Sequence, residues 1–151
     1  MENSLLVQLK DLGLAGSLAL AAVGSGLGAG AAGMAAIGAW KKCFAQGKSA
    51  PFILVAFVGA PLSQTIYGFI IMQFIVEAAV KGHYLWGMGI LGGIAMGVSA
   101  WMQGKAGAAA SDAYAETGKG TGNYFMVLGI IESVALFVMV FLLINIEKVS
   151  G

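Results

Sequence analysis

The chain has 151 residues, which is the size of a single domain. Of these, 59% are hydrophobic and only 10% are charged, whereas soluble domains carry roughly 25% charged residues. This composition predicts a membrane protein. The net charge is +1, with the basic residues spread along the chain, which argues against a nucleic-acid-binding surface. Cys43 is the only cysteine, so an internal disulfide and a cysteine-based metal site are excluded.

Four apolar segments are long enough to cross a bilayer, which takes about 20 residues in a helix. They run from about 12–40, 51–76, 84–110 and 124–146. The third is interrupted by Gln103 and Lys105. The linkers between them are short and polar, at 41–49, 81–83 and 111–123. We therefore predict an all-α membrane protein of four transmembrane helices, with a first helical hairpin at 1–80 and a second at 81–151.

The charge of the first linker predicts the orientation. It contains Lys41, Lys42 and Lys48 and no acidic residue, and lysine-rich linkers stay on the cytoplasmic side. Linkers 41–50 and 111–123 are therefore expected in the cytoplasm of a multi-pass protein of the cell membrane. Both termini and linker 81–83 are expected outside.

The two halves of the chain resemble each other. Each contains a glycine-rich helix followed by a bulkier one, and SGLGAGAAG (25–33) aligns with SAWMQGKAG (99–107). In the second helices, aligning Ser63 with Ser133 places Leu62 opposite Glu132. Because both halves are hairpins, the repeat is parallel, which favours a ring or bundle over an inverted-repeat transporter.

The glycines at Gly28, Gly30 and Gly33 match the G-x-G-x-x-G pattern of a dinucleotide-binding turn. That pattern requires a preceding strand and an acidic residue about 20 positions later, and the next acid is Glu77. The Gly-Lys-Ser at 47–49 lacks the first glycine of a phosphate-binding loop. We therefore expect no nucleotide. Small residues four apart let membrane helices approach closely, as in the pairs Gly24/Gly28, Gly26/Gly30 and Gly89/Gly93/Gly97.

Glu132 lies near the middle of the fourth span. A carboxylate at that depth is costly and by default indicates a functional site, although a protonated glutamate in a structural hydrogen bond is the alternative. In the second span, Ala60, Ser63, Gln64 and Tyr67 recur at helical spacing and share one face. They could also serve only to hold helices together. Pro61 removes a backbone donor there and loosens the helix.

Gln103 adds a further amide deep in the third span, and Lys105 is expected to snorkel toward the cytoplasmic surface. Glu77 and Glu147 lie near span ends and are expected only to anchor them. The intramembrane set is thus one acid with neutral oxygens, which are the ligands of hard cations. A single negative charge favours a monovalent ion. Glu132 alone would suffice for protons, so the additional oxygens favour Na⁺.

With these motifs the chain resembles the proteolipid ring subunit, called K or c, of V-type and V/A-type rotary ATPases. The likeness covers all four spans and is greatest to the sodium-translocating bacterial form. It rests on the polar face of span two beside Pro61, on Gln103-Gly104-Lys105, and on Glu132-Ser133. Two positions depart from the best-known relatives: Ser63 replaces a threonine, and Leu62 replaces a glycine found in some of them.

The resemblance implies a set of Na⁺ ligands. They are the backbone carbonyl of Ala60, the Ser63 hydroxyl, the amide oxygens of Gln64 and Gln103, and the Glu132 carboxylate. Tyr67 would support the site by holding the Glu132 carboxylate in place. Because Leu62 carries no acid, the resemblance implies one ion per chain.

The resemblance also implies partners and a mechanism. Identical copies would form a rotor ring in the lipid bilayer, turning against a membrane stator subunit and coupled to a soluble ATPase through central-stalk subunits. The chain would not be an enzyme on its own. An H⁺-carrying ring subunit remains the nearest alternative, and a small cation-coupled exporter or a structural proteolipid would be alternatives of another class.

Overall fold

The computed structural model describes residues 4–151, with side chains from Leu12 onward, and this part of the chain is entirely helical and loop. The five α-helices are α1 (Ser4–Ala45), α2 (Leu54–Gly59), α3 (Ser63–Val80), α4 (Trp86–Thr117) and α5 (Thr121–Ser150). A 3₁₀ turn, Ala60–Leu62, joins α2 to α3. The all-α class is thus confirmed, and α2, the turn and α3 together form one continuous segment, Leu54–Val80.

The helices extend beyond the predicted spans, because a helix can continue through polar residues that lie outside the membrane. Helix α4 continues through the polar Ser111–Asp112 region to Thr117 and ends only where Gly118 adopts a left-handed backbone, with φ of 64°. Gly120, with φ of 91°, then precedes the first residue of α5. Left-handed backbone is open to glycine at little cost, so the Gly-Lys-Gly sequence makes the tight reversal between the two helices.

Three helical segments are long and apolar enough to cross a membrane: Leu12–Ala45, Leu54–Val80 and Thr121–Ser150. Helix α4 is long enough at 32 residues but is not among them. Its glycines and its polar Gln103, Lys105, Asp112 and Glu116 lower its apolar character. The chain is a membrane protein with at least these apolar helices, while the fourth crossing remains a prediction.

Helices α1 and α4 pack closely along their length through glycine. A Cβ atom on Gly24 would collide with the backbone of Gly97, and one on Gly28 with the carbonyl of Ala100. By contrast, a Cβ on Gly26 or Gly30 would meet nothing within 4 Å. The two predicted glycine pairs of α1 therefore lie on different faces, one packed against α4 and the other open. Since the whole G-x-G-x-x-G stretch lies inside α1, it is not a strand-to-helix turn.

Helices α3 and α5 carry the bulkier side chains. At one end Phe57 of α2 contacts the rings of Tyr124 and Phe125, with centroids 6.1 and 5.2 Å apart. At the other end Ile71 and Ile75 are buried in a cluster with Met96 and Ala135. Most of α5 remains exposed and apolar, including Ile130, Phe137 and Phe141. The polar residues considered next lie between the two clusters.

Candidate ion-binding site

The site begins at the break in the second helical element. Pro61 lies in the 3₁₀ turn, as its missing backbone donor leads one to expect. Directly after the turn, the Ser63 hydroxyl lies 3.3 Å from the carbonyl oxygen of Ala60 and 3.2 Å from Oε1 of Gln64. Its single proton can serve only one of these acceptors at a time. The break thus gathers a carbonyl, a hydroxyl and an amide oxygen within one turn.

The amide of Gln64 connects α3 to α4. Its Nε2 donates a hydrogen bond of 2.8 Å to Oε1 of Gln103, and both side chains are fully buried. Gln103 in turn donates from Nε2 to the backbone carbonyl of Leu128 on α5, at 3.0 Å. Buried amides are costly unless their polar groups are paired. Here Gln64 bonds to Gln103, and Gln103 bonds to the carbonyl of Leu128, so the bonds link α3, α4 and α5.

Glu132 of α5 completes the cluster and receives a hydrogen bond on each carboxylate oxygen. The Tyr67 hydroxyl donates to Oε1 at 2.8 Å, and Nε2 of Gln103 donates to Oε2 at 3.2 Å. The glutamate is half-buried, at the outer edge of the cluster. Two donors from two different helices hold its carboxylate, so its rotamer depends on the packing of α3 and α4.

All six site residues from the sequence thus lie in one place: Ala60, Ser63, Gln64, Tyr67, Gln103 and Glu132. They offer carboxylate, amide, hydroxyl and carbonyl oxygens, which suit a hard cation. The structure therefore brings together side chains from three helices, of which only the face of Ala60, Ser63, Gln64 and Tyr67 followed from helical spacing.

Two participants escaped the sequence reasoning. The buried Ser99 of α4 donates to the carbonyl of Ile131 at 2.8 Å, which ties α4 to α5 one residue before Glu132. The carbonyl of Leu128 is the second. The alignment of Ser25 with Ser99 was the one available signal for the serine, since a backbone carbonyl has no signature in sequence.

The remaining candidates lie elsewhere. Glu77 and Glu147 line one shallow cavity at the opposite end of α3 and α5, where Glu77 is 3.9 Å from the ammonium of Lys81. His83 is exposed in its linker. The ammonium of Lys105 lies 4.6 Å from the ring centroid of Trp101, and its expected reach toward the cytoplasmic surface stays a prediction. Helical side chains lean toward the amino-terminal turn, and this one leans away from linker 111–123.

The ends of α1 and α4 are joined outside the site. The ammonium of Lys42 lies 2.7 Å from Glu116 and 3.2 Å from Asp112. Such exposed ion pairs contribute little to stability. They place linkers 41–49 and 111–123 at the same end of the molecule.

Comparison with known proteins adds one match. No curated protein sequence matches the chain. Residues 86–144 match the family model of the C subunit of ATP synthase, and this segment contains Gln103 and Glu132. It begins at the first residue of α4 and ends within α5, and it covers less than half of the chain. The match therefore supports a membrane proteolipid of this rotor type, on the evidence of the second hairpin.

Proposed function

We propose that this chain is a rotor ring subunit of a V-type rotary ATPase and carries Na⁺ across the membrane on Glu132. Identical copies would form the ring and turn against a membrane stator subunit, with central-stalk subunits linking the ring to the soluble ATPase. The chain itself would bind no nucleotide. Its part is to bind, carry and release one ion per copy.

The observation that carries the proposal is the environment of Glu132. Its carboxylate is held by Tyr67 and Gln103, and the oxygens of Ser63 and Gln64 belong to the same connected cluster. The match to the ATP synthase family model includes this residue. A proton carrier requires only the carboxylate, and the additional neutral oxygens are what favour Na⁺.

The half-buried position of Glu132 suits a carrier that alternates between lipid and a stator. A bare carboxylate is costly in hydrocarbon, and a bound Na⁺ would cancel its charge while the copy faces lipid. Next to the stator, a basic residue of the partner would attract the carboxylate away from Tyr67 and release the ion. Rotation in the opposite sense would reverse these steps.

Carbodiimide labelling of Glu132 in membranes tests the ion directly, because the reagent modifies an accessible, protonated carboxyl group. At fixed pH, we expect Na⁺ to slow the labelling in a concentration-dependent manner, and Glu132→Gln to remove the label. Glu77, exposed at the far end of α3, is the internal control whose modification should ignore Na⁺.

Three outcomes distinguish the alternatives. Labelling that falls with rising pH but ignores Na⁺ at high millimolar concentration would replace Na⁺ with H⁺. Ion transport that survives Glu132→Gln would indicate a structural proteolipid and overturn the carrier role. A detergent-purified assembly with the mass of a single chain would argue against a ring and leave the exporter.

A further inference from the structure

Ser25 of α1 has a buried hydroxyl that bonds to no other group of the described chain. The residue is only 2% exposed, and its Oγ has no hydrogen-bond partner among the described residues. A buried polar group without a partner is rare and calls for an explanation. Ser17, also buried on α1, bonds instead to the carbonyl of Leu14 in its own helix. Ser25 therefore does not make the bond that is open to a helical serine.

The second half of the chain shows what the equivalent serine does. Ser99 aligns with Ser25 and donates to the carbonyl of Ile131 on α5. The alignment of the bulkier helices sets Pro61 opposite Ile131, but Pro61 lies in the 3₁₀ turn, where the backbone departs from a regular α-helix. The bond made in the second half is not made in the first, so the hydroxyl of Ser25 is left for another partner.

Two close contacts fix the level at which α1 meets the segment formed by α2, the turn and α3. A Cβ on Gly68 would collide with the side chain of Ala21, and a Cβ on Gly28 would touch the side chain of Pro61. Moving along α1 from Ala21 to Gly28 therefore corresponds to moving backward from Gly68 to Pro61. The two segments run antiparallel, with a register set at both contacts.

Ser25 and Gln64 lie between those contacts at the same level. Ser25 is four residues after Ala21, and Gln64 is four residues before Gly68. Because residues four apart share a helix face, both lie where the two segments face each other. Nε2 of Gln64 makes one hydrogen bond in the described chain, to Gln103, although an amide nitrogen carries two protons. An unpaired amide proton and an unpaired hydroxyl thus face each other without a direct hydrogen bond.

We propose that Ser25 and Gln64 hold one buried water molecule between α1 and α3, which makes Ser25 a positioning residue of the ion site. The water accepts the second amide proton of Gln64 and bonds to the Ser25 hydroxyl, and buried waters have two to four such partners. It lies on the α1 side of Gln64 and is not an ion ligand.

The water acts on the ion through the amide group of Gln64. A single hydrogen bond on the amide nitrogen allows the planar group to rotate, whereas two bonds fix its plane. The direction of the Gln64 amide oxygen, one of the proposed Na⁺ ligands, is then fixed as well. The effect on Na⁺ rests on the proposed function, but the water site itself does not depend on which ion Glu132 carries.

A crystal structure of the purified full-length protein, at a resolution that shows ordered water, tests the site directly. We expect density between Ser25 and Gln64 in the unaltered protein and none there in Ser25→Ala. Ser17→Ala is the matched control, because it removes a buried hydroxyl about two turns earlier on the same helix, and it should keep the density. Absence of density in the unaltered protein would overturn the proposal and leave Ser25 as a serine that bonds to the carbonyl of Ala21 in its own helix.

Carbodiimide labelling of Glu132 measures the positioning role. Ser25→Ala should raise the Na⁺ concentration that half-protects Glu132 by about threefold, which corresponds to one neutral hydrogen bond. The pH dependence of labelling without Na⁺ should not change, because the carboxylate bonds to Tyr67 and Gln103 in the described chain, and not to Gln64. Ser17→Ala should alter neither quantity.

The possible failures are distinguishable. If Na⁺ protects the unaltered protein and Ser25→Ala equally, the positioning role is wrong and the proposed function stands. If Ser25→Ala also shifts the pH dependence, the hydroxyl supports the whole site rather than the Gln64 amide, and the positioning role is again wrong. If Na⁺ does not protect the unaltered protein, the proposed function fails together with the role of Ser25 in it, while the crystal structure still decides the water.

Discussion

Tyr67 and Gln103 hold different oxygens of the same carboxylate, which makes the phenol the simplest group to remove. Tyr67→Phe deletes the 2.8 Å hydrogen bond and keeps the ring. Hydrogen bonds to charged groups contribute about 1.5–3 kcal/mol. We therefore expect the Na⁺ concentration that half-protects Glu132 from carbodiimide to rise about tenfold or more.

The matched control is Tyr114→Phe, near the carboxyl end of α4 and remote from Glu132. It should leave the half-protecting concentration unchanged. If Tyr67→Phe also leaves it unchanged while the protein remains folded, the phenol does not hold the carboxylate during ion binding.

Removing the hydroxyl of Ser63 tests whether the site binds Na⁺ or only a proton. Its hydroxyl belongs to the proposed Na⁺ ligands but does not contact Glu132 among the hydrogen bonds of the described chain. Taking the loss of a neutral ligand as comparable to a neutral hydrogen bond, at about 0.5–1.5 kcal/mol, Ser63→Ala should weaken Na⁺ protection by roughly twofold to tenfold. The pH dependence of labelling without Na⁺ should not change.

Ser111→Ala provides the comparison, because Ser111 is also buried and, within the described part of the chain, its hydroxyl bonds to the carbonyl of Gly107 in its own helix. A Ser63→Ala protein with normal Na⁺ protection would remove the hydroxyl from the ligand set. Ser63→Thr keeps the hydroxyl and should restore protection.

Sequence reasoning reached most of this site because side-chain spacing carries the information. Ser63, Gln64 and Tyr67 were predicted to share a helix face. Gln64 and Tyr67 bond to Gln103 and Glu132, while Ser63 bonds to Ala60 and Gln64. It missed Ser99 and the carbonyl of Leu128, since their roles follow from how α4 lies against α5. No periodicity within one helix reports the register between two helices.

At the scale of the helices, the glycines of α1 lie on two faces, one packed against α4 and one open. Gly28 has no room for a Cβ against α4, whereas Gly26 faces open space. Gly28→Leu should therefore destabilise the single chain by roughly 1–3 kcal/mol or more, as overpacking does. This should appear as a lower thermal unfolding midpoint of the single chain in detergent, whether or not the chain assembles with other copies.

Gly26→Leu is the informative partner of that variant. It should retain the unfolding midpoint of the single chain, because nothing in the chain lies within 4 Å of the new Cβ. If the open face of α1 meets another copy in the ring, the same variant should reduce the assembled mass. Destabilisation by Gly26→Leu equal to that by Gly28→Leu would contradict the two-face assignment.

Helix boundaries were the weaker part of the sequence prediction, and α4 explains why. Polarity ended the predicted span at 110, but Ser111, Asp112 and Ala113 are compatible with a helix, which runs on until Gly118. The polarity of the residues indicates where a helix leaves the hydrocarbon layer, whereas the backbone conformation determines where the helix ends. The membrane boundary depends on the surrounding solvent, and the helix end depends on residues such as Gly118 that accept a left-handed backbone.

For the whole molecule, we predict that α4 crosses the bilayer together with the three segments that are long and apolar enough to do so. The hydropathy of α4 is too low for it to count among the apolar segments. Some of the polar side chains that lower it are buried inside the chain. Gln103 and Gly104 are buried. Lipid therefore meets a more apolar α4 surface than the bare composition indicates, which supports four crossings.

Single cysteines at the two ends of α4 test this arrangement in sealed vesicles of known orientation. With Cys43→Ala as background, His83→Cys and Lys119→Cys each place a thiol in an exposed loop. A membrane-impermeant maleimide should label the two from opposite sides, because a crossing α4 separates residues 83 and 119 by the bilayer. Ser49→Cys should follow Lys119→Cys, since the Lys42–Glu116 ion pair joins their two loops. If His83→Cys and Lys119→Cys react from the same side, α4 does not cross, and the hairpin arrangement that brings Gln103 to Glu132 at mid-membrane would have to be abandoned.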